Sequence, residues 1–153
     1  MVPSILLFTF MFFEPAFVDG ESMSPTLDNY SLVLIKKSPF SKMKYSKNQI
    51  VMFRRSQRTE VYIKRVVALP QEAISIEQNK VWVNKIKLDE NNTNPGSWLK
   101  ENESELLENC YFMLGDNRDH SIDSRDFGCI ENELITGLAI AVIWPPSEIK
   151  ILK

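Results

Sequence analysis

One histidine and two cysteines are the only imidazole and thiol side chains among 153 residues. A four-coordinate zinc site built from nitrogen and sulfur donors is therefore out of reach. Any Ser-His-Asp triad would have to use His120. A surplus of positive charge is also missing. There are 18 Lys+Arg against 20 Asp+Glu, net -2, whereas duplex nucleic-acid binders carry a basic excess. No apolar run reaches the roughly 20 residues that a membrane span needs. Two cysteines fix no disulfide framework by arithmetic; Cys110 and Cys129 read first as buried thiols, with pairing as the alternative. What remains is ordinary. Hydrophobic residues at 44% and charged residues at 25% fit a globular chain of one domain.

Helix signals are few and strand signals many. Short apolar or β-branched runs occur at 31–35, 50–53, 61–67, 74–76, 81–83, 86–88, 111–114 and 138–144. Gln78-Asn79-Lys80 and Asn84-Lys85 read as tight hairpin connections. About eight short strands predict an all-β, mostly antiparallel body, sandwich-like or barrel-like. Residues 14–70 and 110–147 form its core in this reading, and residues 71–109 a variable insertion with a hairpin and a loose loop. Within it, residues 101–108 have a helical look without an apolar face. Residues 1–13 carry no charge and end at Glu14-Pro15 without a cleavage signature. They read as the tail of a truncated membrane anchor plus a first strand, with a shallow membrane-inserting edge or a buried strand as alternatives.

Three segments hold reactive side chains. Gly20-Glu21-Ser22-Met23-Ser24-Pro25-Thr26-Leu27 is a turn-rich loop that presents serine hydroxyls, although a serine in a turn is commonly just a turn former. Val61 to Val67 places Tyr62, Lys64 and Val66 on one strand face and Ile63, Arg65 and Val67 on the other. One of Lys64 and Arg65 then points to the apolar side. A buried lysine loses its charge far more readily than an arginine and can serve as a general base; a lysine snorkelling from an exposed face is the plain alternative. The third segment, Gly115 to Gly128, packs acids, hydroxyls and two arginines. Read as a calcium loop from Asp119, it puts Ser124 where glycine belongs and Ile130 where the closing glutamate belongs, so that pattern fails. His120 reads as a surface residue.

Together the three segments resemble the type I signal peptidases, serine-lysine endopeptidases of the membrane. The resemblance rests on Ser22-Met23-x-Pro25-Thr26-Leu27, on Tyr62-Ile63-Lys64-Arg65-Val66, and on Gly115-Asp116-Asn117-Arg118-x-x-Ser121-x-Asp123-Ser124-Arg125-x-x-Gly128. Ile50 to Phe53, Gly137 and Trp144-Pro145 add to it. It implies Ser22 as nucleophile, Lys64 as general base, Ser121 as the hydroxyl that orients the lysine, and Asp123 with Arg125 as a structural brace. It implies Val18, Met23, Leu27 and Ile63 as contacts for the small residues before the scissile bond. It implies no cofactor and no metal, preprotein signal peptides and a lipid surface as partners, no nucleic acid, and a catalytic domain on the extracytoplasmic face of the cell membrane. The chain departs from the family where Asn48-Gln49 and Gln71-Glu72 replace Gly-Asp, and where Ala68 replaces glycine. Gly20 stands where some members carry a serine that helps bind the oxyanion, which leaves that task to backbone N–H groups, chiefly that of Ser22. The lysine pKa would have to fall from about 10.4 toward roughly 8. Two rivals share parts of this pattern. A self-cleaving repressor peptidase would need a DNA-binding domain upstream. A catalytically weak or non-enzymatic assembly factor for surface proteins would have lost the serine or the lysine, and this chain keeps both.

Overall fold

A computed structural model of the chain describes residues 12–38, 43–55, 60–90, 93–94 and 102–152. Most of the apolar segment 1–13, with its anchor reading, lies outside them. Among the described residues no helix is long and apolar enough to cross a membrane.

The strands are β1 (Phe13–Phe17), β2 (Leu32–Lys37), β3 (Ile50–Arg54), β4 (Val61–Ala68), β5 (Ala73–Glu77), β6 (Lys80–Val83), β7 (Ile86–Lys87), β8 (Asn102–Glu105), β9 (Cys110–Leu114), β10 (Ile130–Glu131), β11 (Ile135–Trp144) and β12 (Lys150–Ile151). The main sheet runs β1-β2-β11-β3-β4-β9-β10, with β12 on β11; a second sheet runs β7-β6-β5-β8. All pairings between these strands are antiparallel. The all-β expectation therefore holds, with more strands than the eight read from sequence.

Local chemistry explains the hairpins. Gln78, Asn79, Asn84 and Lys85 all take positive φ, between 49° and 67°. Two consecutive residues of that hand make the type I′ turn whose twist matches paired strands. The segment 101–108 departs from its helical look, because Asn102–Glu105 pairs with β5. A free sheet edge with unpaired amides outweighs the helix propensity of a glutamate-rich stretch.

Three apolar clusters fill the interior. One joins Val18, Met23 and Leu27 to β2, β3 and β11 residues, with Ile63 packed against it. A second joins Val51, Phe53, Val66, Met113 and Ile135, with Tyr62 at its margin. The third, with Val67, Phe112, Ile74, Ile76, Val81 and Val83, ties the second sheet to β4 and β9. Strand β4 is thus covered on both faces along its C-terminal half. Lys64 is 3% exposed and Arg65 9%, so the structure corrects the expectation that only one of them turns inward.

The cysteines are also corrected. Cys110 and Cys129 form a disulfide with Cα atoms 5.6 Å apart, not two buried thiols. It sits beside the β9–β10 pairing, where Glu131 lies opposite Cys110. The bond closes the base of the segment that carries Gly115 to Gly128.

Candidate active site

Ser22 lies in a compact turn that leaves β1 and returns to β2. Ser24 N–H donates to Glu21 O at 3.0 Å and Leu27 N–H to Met23 O at 2.9 Å. Apolar Met23 and Leu27 plug this turn into the core beneath it. The turn is also pinned from outside, because Asn117 N–H donates to Ser22 O at 3.0 Å. The serine position is therefore fixed by packing on one side and by a backbone hydrogen bond on the other.

Lys64 reaches this loop from β4, opposite Val51 of β3. Its Nζ lies 2.5 Å from Ser22 Oγ. The Tyr62 ring centroid is 6.0 Å from the same nitrogen, as expected for side chains two apart on one strand face. Burial pushes the Lys64 ammonium down from 10.5 to about 8. The carboxylates of Asp123 and Asp116 work against that fall, and the Arg125 guanidinium adds to it. Desolvation wins because the amine has almost no contact with water.

The segment after β9 forms the third wall. Asp123 is fully buried and caps the single-turn helix α1 (Ser124–Phe127), and its own N–H donates to Asp126 Oδ2 at 3.2 Å. It accepts from Gly115 N–H at 3.0 Å, Ser121 Oγ at 2.7 Å and Arg125 Nε and Nη2, each at 2.8 Å. Arg125 also donates to Arg118 O at 2.8 Å. Ser124 Oγ accepts from Met113 N–H at 2.9 Å, which anchors the helix to β9. Gly115 permits this closeness. A Cβ there would stand 2.2 Å from Ser121 Oγ and 2.5 Å from Ser22 O.

Of the residues singled out in the sequence, Ser22, Lys64, Val18, Met23 and Ile63 line one cleft of about 360 Å³. Leu27 is buried in the core under the loop and does not line it. Asp123 and Arg125 form a 2.8 Å ion pair. The Ser121 hydroxyl bonds to Asp123, so its hydrogen bond runs to the carboxylate and not to the lysine amine. His120 is exposed, as read from the sequence, yet it faces the cleft.

The residue with the widest reach was not singled out. Arg65 donates Nε to Asp116 Oδ1 at 2.7 Å and Nη2 to Asp116 Oδ2 at 2.6 Å. It also donates to Asn48 O at 2.7 Å and to Thr26 Oγ1 at 3.2 Å. One guanidinium therefore ties β4, the turn before β3, the serine loop and the third segment together, with the bidentate geometry that only arginine provides. The signal was a second cation beside Lys64 on a strand with two apolar neighbours, together with an aspartate in the third motif. Phe17, Asp19, Glu21, Met52, Val61 and Ile122 are also among the residues that line the cleft.

Such an arrangement can activate a hydroxyl: a desolvated amine touches one serine oxygen in a cleft lined by both apolar and charged side chains. The family described as "Signal peptidase, peptidase S26" matches residues 1–144. "Signal peptidase I" of Bacillus licheniformis is 28% identical over 98% of this chain and 86% of its own length. "Signal peptidase I" of Bacillus caldolyticus is 30% identical over 95% of this chain and 85% of its own. The crystal structure of a signal peptidase I from Enterococcus faecalis superimposes with a TM-score of 0.53 at 24% identity, covering 63% of this chain and 97% of that one; it shares the fold.

Proposed function

Since the chain belongs to the signal peptidase family, peptidase S26, we propose that it is a serine endopeptidase that removes N-terminal signal peptides from exported preproteins through a Ser22–Lys64 dyad. The observation that carries the dyad is the 2.5 Å approach of Nζ to Oγ inside a desolvated pocket. Neutral Lys64 takes the proton of Ser22, and Oγ attacks the scissile carbonyl carbon. The backbone N–H of Ser22 steadies the oxyanion. The protonated amine then gives its proton to the leaving nitrogen, and the C–N bond breaks to leave an ester on Ser22. Water, deprotonated by the same amine, hydrolyses that ester and restores the serine.

The substrate is held as an extended strand. Among the described residues β1 pairs only with β2, and the first half of β4 only with β3. Ala16 and Phe17 on one side and Val61 to Lys64 on the other therefore belong to strands with an unpaired edge at the cleft, whereas Val18 is bonded through its N–H to Ser31 O and through its carbonyl to Tyr30 N–H. Val18, Met23, Met52 and Ile63 restrict the buried substrate side chains to small ones. Ser121 acts on Lys64 through Asp123, keeping the carboxylate that opposes the fall in lysine pKa in one place. The same reading places the enzyme at the cell membrane, with its catalytic domain on the extracytoplasmic face. A non-enzymatic assembly role is not favoured, because both dyad side chains are present and in contact.

A peptide with Ala at positions -3 and -1 tests the proposal. Ser22→Ala and Lys64→Ala are each expected to lower kcat/KM by roughly a thousandfold or more while the far-ultraviolet circular dichroism stays that of the parent. Cleavage within tenfold of the parent in either variant would refute the dyad.

A further inference from the structure

The cleft changes character along its length. The chain that forms one wall runs from Ala16, Phe17 and Val18 through Asp19, Gly20 and Glu21 to Ser22. Met52 and Ile63 share an apolar cluster with Ala16 and Val18, Val61 lines the same cleft, and Phe17 and Val61 are 60% and 47% exposed. Next to Ser22 the lining is acidic. Asp19 and Glu21 are exposed, and among the described residues neither forms an ion pair. Above about pH 8, where Lys64 is in its base form, the amine carries no charge to offset them, and His120 is the one other basic side chain among the described residues that line the cleft.

An extended substrate whose apolar stretch lies against Phe17, Val61 and Ile63 brings its scissile bond to Ser22 with the neighbouring residues beside those carboxylates. We infer that Asp19 and Glu21 set a charge preference for the first residues of the mature protein: Lys or Arg at positions +1 and +2 is favoured and Asp or Glu disfavoured. This rests on the signal peptidase reading of the same cleft. Each exposed carboxylate contributes a few-fold at most, and salt screens it within about 10 Å at 0.1 M. A graded preference follows, rather than an absolute requirement.

The test uses three peptides that share one apolar stretch and Ala at -3 and -1, with Lys, Gln or Glu at both +1 and +2. The quantity is the ratio of kcat/KM for the Lys peptide to that for the Glu peptide. It is expected to be about tenfold at low salt, and to fall to about twofold near 0.5 M salt and in Asp19→Asn/Glu21→Gln. A ratio near one in the parent, or an undiminished ratio in the double variant, would overturn the inference while cleavage of the Gln peptide still upholds the peptidase reading. Failure to cleave any of the three, Gln included, would overturn both.

Discussion

In the proposed mechanism the chemistry turns on Lys64. Its shift from 10.5 to about 8 corresponds to about 3 kcal/mol against holding the charged form in the fold. The direction sets the pH dependence of turnover. Below about pH 8 the folded protein keeps the proton, so the amine cannot accept one from Ser22. The logarithm of kcat/KM should rise with unit slope up to about pH 8 and level off above it. A profile flat from pH 6 to 10 in initial-rate assays would remove the lysine as base. Stability moves the same way. Between about pH 8 and 10.5 the unfolded lysine binds a proton that the folded one does not, so rising pH in that window stabilises the fold.

Backbone conformation decides matters at the level of strands and turns. Asn48 and Gln71 occupy φ of 70° and 67°, the left-handed region that glycine enters freely. A side chain in that region costs about 1 kcal/mol; glycine removes the cost but gains freedom in the unfolded chain. Gln71 is exposed and its turn is closed by Glu72 N–H donating to Leu69 O at 3.1 Å. Gln71→Gly should therefore raise stability by about 0.5 kcal/mol and Tm by roughly 1–2 °C, measured by thermal unfolding. A lower Tm would show that the left-handed conformation is not strained. Turn chemistry of this kind was readable in advance, as the Gln78-Asn79 and Asn84-Lys85 hairpins show. Pairing to a distant edge was not. Asn102–Glu105 looks helical by composition and becomes a strand only because β5 offers it a partner. Likewise Lys64 and Arg65 could be assigned to opposite faces from their alternation. That both faces would be covered depends on β9 and on the serine loop, and neither is adjacent in sequence. Ser22 and Lys64 were legible from their motifs, whereas the reach of Arg65 to Asp116, Asn48 and Thr26 appears only after folding.

Over the whole molecule, the site exists only when four distant stretches meet, around Ser22, Asn48, Lys64 and Asp116. Loss of activity and loss of secondary structure should therefore coincide in a denaturant titration. The Cys110–Cys129 bond spans a sequence separation of 19 and constrains the unfolded chain by about 3 kcal/mol. Cys110→Ser/Cys129→Ser should lower the midpoint accordingly, with both transitions moving together. If activity is lost well before circular dichroism in that variant, the disulfide is guarding the third segment locally and not the fold as a whole.

The two unpaired edges that face each other across the cleft carry one more implication. A ligand gripped by its amide groups is recognised through what all peptides share, so the sequences it tolerates can be broad while its shape cannot. Replacing an inward amide with an ester or an N-methyl group would then weaken binding more than exchanging one outward side chain for another, and a proline at such a position would behave as a stopper.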